Sequence, residues 1–334
     1  MNEETRQRLF GWRHAFDHVA TPWLVGGIVA ALLLATVVLR VLAVTGRTSG
    51  DTRRELRQRM LSWWVLAPAM VGPILLGAAW TIGAVTAMSL LCFREFARAC
   101  GLFRERLITS MVVLGILATA FAALDHWYAM FMAMMPLGVV AIAGVAVLAD
   151  EPRGYIQRVA LGVFSLLFFG ACFGHLAYFA NDDDYRPLLL MLLITVEGND
   201  VFAYVSGKLF GRRKLTPQTS PNKTWAGAVG ATVLTTLLVL LLGPLALRGT
   251  LVNETHHLVA LGVMISVGGQ LGDLMLSSIK RDLGIKDFAA TIPGHGGFLD
   301  RFDSLLLVAP AVFHYIGYVQ GIGAFNTHRI FSGS

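Results

Sequence analysis

The sequence predicts an all-α, polytopic integral membrane protein of about ten transmembrane helices, with a cytoplasm-facing polar cavity in its C-terminal half. Three observations carry this. Of 334 residues, 55% are hydrophobic and only 14% charged, against roughly 25% charge in an average soluble domain. Apolar runs approach or exceed the ~20 residues a helix needs to cross about 30 Å of hydrocarbon. The loops between these runs alternate in basic content, as loops on opposite sides of a membrane do.

The elements follow in order. Thr5 to His18 mixes Arg6, Arg8, Arg13, His14 and His18 with Leu9, Phe10, Trp12 and Phe16, the pattern of an interfacial amphipathic stretch. The first apolar run, 23–44, holds Arg40, is followed by Arg47 and has no small-residue cleavage site, so it reads as a retained helix and not a signal peptide. Runs 61–76 and 79–93 contain Pro68, Gly72, Pro73 and Gly77, and are either two short tilted helices with a tight turn or one broken helix. Runs 107–124, 127–149, 159–180, 187–205, 225–247, 257–279 and 304–324 complete the set.

Of the 27 Lys and Arg residues, twenty fall in loops 45–60, 94–106, 150–158, 206–224 and 280–303. The alternate connections and both ends hold six. This parity places the basic loops in the cytoplasm and both termini outside. The cluster Asn181-Asp182-Asp183-Asp184 then lies outside, where it reads as a solvated turn; a calcium loop would need a glycine and a distal glutamate. Cys92, Cys100 and Cys172 are scattered without C-x-x-C spacing, which points to neither a disulfide framework nor a zinc site.

Polar residues at membrane depth are costly, so their positions are informative. They gather after residue 195: Glu197, Asn199 and Asp200 interrupt the seventh run, Asp273 lies near the end of the ninth, and Lys280, Arg281, Lys286, Asp287, Gly294, His295, Gly296, Gly297, Asp300, Arg301 and Asp303 follow. Basic side chains neutralise phosphate oxygens, glycine backbone lets amides approach an anion, and carboxylates hold the Mg²⁺ that accompanies a nucleotide. Each class alone is ambiguous. A basic loop also sets topology, a Gly-Gly pair also makes a turn, and Asp300 with Asp303 are either joint metal ligands or a charge pair at a helix start. An ion path through Glu197, Asp200 and Asp273 is the rival from another class. It predicts polar groups at the bilayer midplane and two repeated halves, whereas here the polar load sits at helix ends and no repeat is visible.

The stretch from Ser277 through Lys280-Arg281-Asp282-Leu283-Gly284 to Pro293-Gly294-His295-Gly296-Gly297-Phe298-Leu299-Asp300-Arg301-Phe302-Asp303 closely resembles the signature of the phosphatidate cytidylyltransferase family. Upstream, Asp200 to Tyr204, then Gly207-Lys208, Gly211, Lys214-Leu215, Pro217, Ser220-Pro221 and Lys223-Thr224, look like that family's second motif. The resemblance is specific over roughly 195–305. It implies attack by the phosphate of phosphatidic acid on the α-phosphorus of CTP, with Mg²⁺ and no organic cofactor, in a bacterial-type inner membrane. It also implies a homodimer and no nucleic-acid partner.

By similarity, Asp273, Asp300 and Asp303 hold the metal and Asp200 lines the same cavity. Lys280, Arg281, Lys286, Asp287 and Arg301 join the catalytic set, and Lys208, Ser220, Asn222, Lys223 and Thr224 bind substrate. His295, Gly296 and Gly297 form the loop that closes on the phosphates. A phosphate monoester is already a nucleophile near neutral pH, which gives His295 a contact or loop role and not that of general base. On this reading residues 1–150 are scaffold, dimer and lipid-facing helices and 151–334 form the catalytic transmembrane domain. One departure stands out: many family members carry Gly-Asp-Leu-x-Glu-Ser where this chain has Gly272-Asp273-Leu274-Met275-Leu276-Ser277, so Leu276 replaces a carboxylate. A different lipid phosphate as acceptor is the alternative this leaves open.

Overall fold

The computed structural model describes residues 3–45, 50–294, 296–321 and 329–333. In chain order the helices are α1 (Glu3–Phe10), α2 (Ala20–Val44), α3 (Gly50–Leu76), α4 (Ala78–Ala99), α5 (Arg106–Leu124), α6 (Tyr128–Val147), α7 (Tyr155–Ser165), α8 (Phe173–Phe179), α9 (Tyr185–Phe210), α10 (Trp225–Ala246), α11 (Thr255–Asp282), α12 (Leu299–Phe302) and α13 (Leu305–Gln320). Eight helical stretches are long and apolar enough to cross a membrane, with α7, a π-helical turn at Leu166–Cys172 and α8 forming one of them over Tyr155–Phe179. The remaining two windows are filled by α4, whose last turns carry Arg94, Glu95 and Arg98, and by the 16-residue α13. The chain is thus an all-α polytopic membrane protein.

The helices that hold runs 61–76 and 79–93 extend beyond them, and they are two helices and not one broken one. The first run belongs to a single 27-residue helix that runs through Pro68 and Pro73, and the second to one of 22 residues. Hydropathy stops where charge begins, but a helix need not, and Arg53 to Arg59 continue α3 beyond its apolar part. The break between the two falls at Gly77, whose φ of 137° and ψ of 169° only glycine adopts readily. The backbone of Leu9 and Phe10 packs against this corner, so that a Cβ on Gly77 would collide with the Leu9 carbonyl. The amphipathic N-terminal segment is held there: Arg186 donates to the Gly11 carbonyl at 3.0 Å, and Leu9 is buried while Phe10, Trp12 and Phe16 stay exposed.

A second departure is a small sheet within the all-α frame. Lys214–Thr216 (β1) and Ser220–Thr224 (β2) pair antiparallel, Lys214 opposite Thr224 and Thr216 opposite Ser220. Strands of three and five residues are too short for alternation to show in sequence.

Packing explains the glycines of the middle helices. Leu166 inserts where a Cβ at Gly115 of α5 or Gly138 of α6 would stand. Between α9, α10 and α11 a buried polar network replaces apolar packing. The Asn199 Oδ1 accepts from Ser266 Oγ at 2.6 Å and Thr235 Oγ1 at 3.1 Å, and Gln270 Nε2 donates to Ser266 Oγ at 2.9 Å. These bonds fix the rotation of α9 against its neighbours, and with it the direction in which Glu197 and Asp200 project.

Substitution of Gly77 by Ala should cost on the order of 1–3 kcal/mol, the strain of a non-glycine residue in this conformation. The check is the thermal midpoint of the purified protein in detergent. Gly83→Ala on the same helix, where nothing lies within 4 Å of the added carbon, should leave it unchanged.

Candidate functional site

The site gathers the middle of α3, the end of α4, the second half of α9, the hairpin, the second half of α11, the 283–298 loop and α12, so that Glu197, near the middle of α9, stands deeper than the helix ends at which the sequence places the polar load. Each functional side chain arrives there by helical spacing. Glu197 and Asp200, three apart, share a face of α9; Asp273, Ser277 and Lys280, at i, i+4 and i+7, share a face of α11. Three ion pairs then join different elements. Lys223 Nζ of β2 lies 2.6 Å from Asp273 Oδ2, Lys280 Nζ lies 2.7 Å from Asp300 Oδ1, and Arg301 lies 2.7 Å from Glu197 Oε2. The Arg301 guanidinium also stacks over Trp63 of α3, 5.0 Å from the ring centre.

The carboxylates divide into two kinds. Asp300 is committed to the fold: besides Lys280 it accepts the backbone N–H groups of Phe288 and Gly297, both at 3.0 Å. Asp200, Asp273 and Asp303 instead face one another electrostatically, with Lys223, Lys280 and Arg301 nearby. Asp200 is open, Asp273 is half-buried and accepts from Ser277 Oγ at 3.1 Å, and buried Asp303 accepts the N–H of Ser304 at 2.7 Å. Mutually repelling hard-oxygen donors with spare lone pairs suit a divalent cation such as Mg²⁺. In this conformation the ligand atoms of Asp273, Asp300 and Asp303 do not converge. Among the described residues such convergence, within 4.8 Å, occurs at Glu254, His256 and His257, at the opposite end of α11.

Other candidate residues take varied places. Arg281 ties the hairpin to the end of α11, donating to the Thr219 carbonyl and the Ile285 carbonyl, both at 3.2 Å. The Thr224 hydroxyl accepts the Gly227 N–H at 3.1 Å and caps α10, which commits it to structure. Ser220 is half-buried in β2; Asn222, Lys208, Lys286 and Asp287 are exposed, with the Lys208 ammonium 5.7 Å from the Tyr204 ring centre. Gly296 has a φ of 82° and its carbonyl accepts the Ile292 N–H at 2.7 Å, closing a tight turn. His295 lies outside the described residues. Leu276 is fully buried in the apolar core, so the position that is acidic in many family members is here a packing residue.

Sequence reasoning missed a contribution from the N-terminal half. Glu95, buried at the end of α4, accepts from the Thr291 hydroxyl at 2.6 Å and from the Leu299 N–H at 3.0 Å. Its carboxylate fills the space a side chain at Gly297 would need, which explains the glycine. Ser62 donates to the Pro293 carbonyl at 2.7 Å. The available signal was a carboxylate in the last turns of an otherwise apolar helix, a costly position unless partnered.

Glu95 should therefore act as a positioning residue. Glu95→Ala is expected to lower kcat about 10²-fold, the scale of loss when a catalytic group shifts by about 1 Å, with the nucleotide KM little changed. Glu95→Gln keeps an acceptor for Thr291 and should recover part of the rate. Steady-state kinetics on both variants decides.

Residues 57–319 match the model of the cytidylyltransferase family. The protein YnbB of Escherichia coli, itself uncharacterised, is 32% identical over 300 residues, spanning 86% of this chain and 96% of the relative. The phosphatidate cytidylyltransferase of Bacillus subtilis is 35% identical over 158 residues, 47% of this chain and 58% of the relative, and that of Haemophilus influenzae 38% over 141 residues, 41% and 49%. The chain thus spans about half the length of the named enzymes it matches. A family match across most of its helices, signature loop included, makes this chain a member of the cytidylyltransferase family.

Proposed function

We propose that this protein joins CTP to phosphatidic acid, forming CDP-diacylglycerol and pyrophosphate, with Mg²⁺ at the cytoplasmic face of an inner membrane. The observation that carries the reading is the grouping of Asp200, Asp273 and Asp303 against Lys223, Lys280 and Arg301 at one end of a membrane bundle. A lipid phosphate and a nucleotide polyphosphate can meet at such a place. A phosphate oxygen of the lipid attacks the α-phosphorus, and the bond to the bridging oxygen of the β-phosphate breaks as pyrophosphate leaves. Bound Mg²⁺ would supply charge neutralisation of the nucleotide phosphates. Asp200, Asp273 and Asp303 are the residues to hold it, while Lys223, Lys280 and Arg301 orient and neutralise phosphate oxygens. No general base is required.

Leu276 leaves room for a second reading, in which the same chemistry serves another lipid phosphate, because the chain lacks the carboxylate that the resemblance leads one to expect three residues after Asp273. The basic-loop bias of the sequence supports the cytoplasmic placement, and assembly as a homodimer is part of the proposal.

Purified protein supplied with radiolabelled CTP, Mg²⁺ and a panel of lipid phosphates should form CDP-diacylglycerol. Chelation should abolish the product and added Mg²⁺ restore it. Asp303→Ala and Lys223→Ala should each lower kcat by about 10²–10³-fold, the loss typical of removing one electrostatic stabiliser. Product from another lipid only would move the acceptor; full activity of Asp303→Ala would remove the metal assignment. For sidedness, Gln218→Cys in the hairpin turn should react with an impermeant thiol reagent only from the cytoplasmic side, and labelling from outside would invert the orientation.

A further inference from the structure

Two apolar cavities share a wall at Met70 and Leu193, and the second of them reaches α12. The first, of about 480 Å³, is bounded by α2, α3, α9 and α10, and of its lining residues only Glu197, the partner of Arg301, is charged. The second, of about 280 Å³, is bounded by α3, α4, α8 and α9 and by Phe298, Phe302 and Leu305 of the signature region; it has no charged lining residue. Met70 of α3 and Leu193 of α9 line both. Helical spacing explains the arrangement. Trp63, Ala67 and Met70 turn one face of α3 to the first cavity, while Leu66, Ala69 and Pro73 turn the adjacent face to the second.

We infer that these cavities receive the two acyl chains of a single diacyl lipid, one chain each, with Met70 and Leu193 between them and the polar head at Arg301. The inference rests on the proposed lipid-phosphate reading of the site and gives it a substrate shape. Apolar walls of this kind hold no water well, whereas hydrocarbon satisfies them. Charge complementarity supplies the orientation. Arg301 sits over Trp63 and against Glu197 at the charged edge of the first cavity, while its neighbour Phe302 reaches into the second. A cation at the junction of two separate apolar spaces matches an anionic amphiphile with two tails. A sterol or a single-chain amphiphile would leave one space empty.

The test is photolabelling of the purified wild-type protein in phosphatidylcholine nanodiscs, with phosphatidic acids that carry a diazirine midway along one chain or the other. One isomer should label the first cavity, at residues such as Ile28 and Leu238, and the other the second, at Val85 and Leu176. Excess unlabelled phosphatidic acid should remove both signals and excess phosphatidylcholine neither. Both isomers in one cavity, or labelling that does not compete, would overturn the inference. Ala67→Phe and Ala84→Phe, which fill the first and second cavities, should each raise KM for the diacyl acceptor about tenfold, while for a single-chain lyso form only the variant that fills the cavity of the remaining chain should do so. Equal losses from both variants on the lyso acceptor would also overturn it. Labelling needs no turnover, so a protein that binds both probes but forms no CDP-lipid would sink the proposed reaction and leave the cavity assignment standing.

Discussion

The functional end of the molecule depends on the carboxylate of Asp300. Its side chain is only 6% exposed, and its Lys280 partner 10%. Two backbone N–H groups, those of Phe288 and Gly297, complete its shell. A buried charge without partners is costly, and removing one member of such a pair typically costs 3–5 kcal/mol. The 283–298 loop buries Phe288 and Ile292, the former against Phe96. Asp300, which accepts two of its amide groups, and Glu95, which accepts the Thr291 hydroxyl and the Leu299 N–H just past its end, hold it further to the bundle. The turn at Gly296 and the placement of Arg301 over Trp63 adjoin that closure.

Closure leaves each central cation with a carboxylate: Lys223 with Asp273, Lys280 with Asp300, Arg301 with Glu197. Half-buried charges survive near a membrane because they are paired. Of these pairs, Lys280–Asp300 is locked by the loop amides, whereas Lys223–Asp273 bridges a two-stranded hairpin and a helix with a single contact to each. Under the proposed reaction a nucleotide with its cation would exchange that looser pair, giving phosphate to Lys223 and metal to Asp273 at once. Neither charge is left bare, which keeps the exchange inexpensive.

Much of this was legible in the sequence because membrane helices obey a length rule. Each of the ten apolar windows falls on helix apart from one or two described residues at some window ends, and the polar residues that meet at the site were visible as expensive exceptions. What was not legible had local or tertiary causes. The hairpin is too short to show a period, and α3 extends through charged residues that a hydropathy reading treats as loop. Thr224 has the composition of a phosphate ligand but the position of a helix cap. Glu95 and Trp63 are separated from their partners by some two hundred residues, and no spacing rule reports that. Leu276 departs from the family pattern, and only burial shows that it joins the core and not the cavity.

The placement of α3 brings the N-terminal half into contact with the site. Ser62 holds the Pro293 carbonyl and Trp63 carries Arg301, both at the site end. Seven residues past Trp63, two helical turns deeper and on the same side, Met70 stands between the two cavities. One rigid helix therefore contacts the signature loop, the cation at the junction and the wall between the apolar spaces. A shift of α3 along its axis moves all three together. On the proposed reading, lipid that seats correctly on either side of Met70 brings its head to Arg301 without further adjustment. The low charge of α3 beyond Arg59 is what allows it to run through the bilayer.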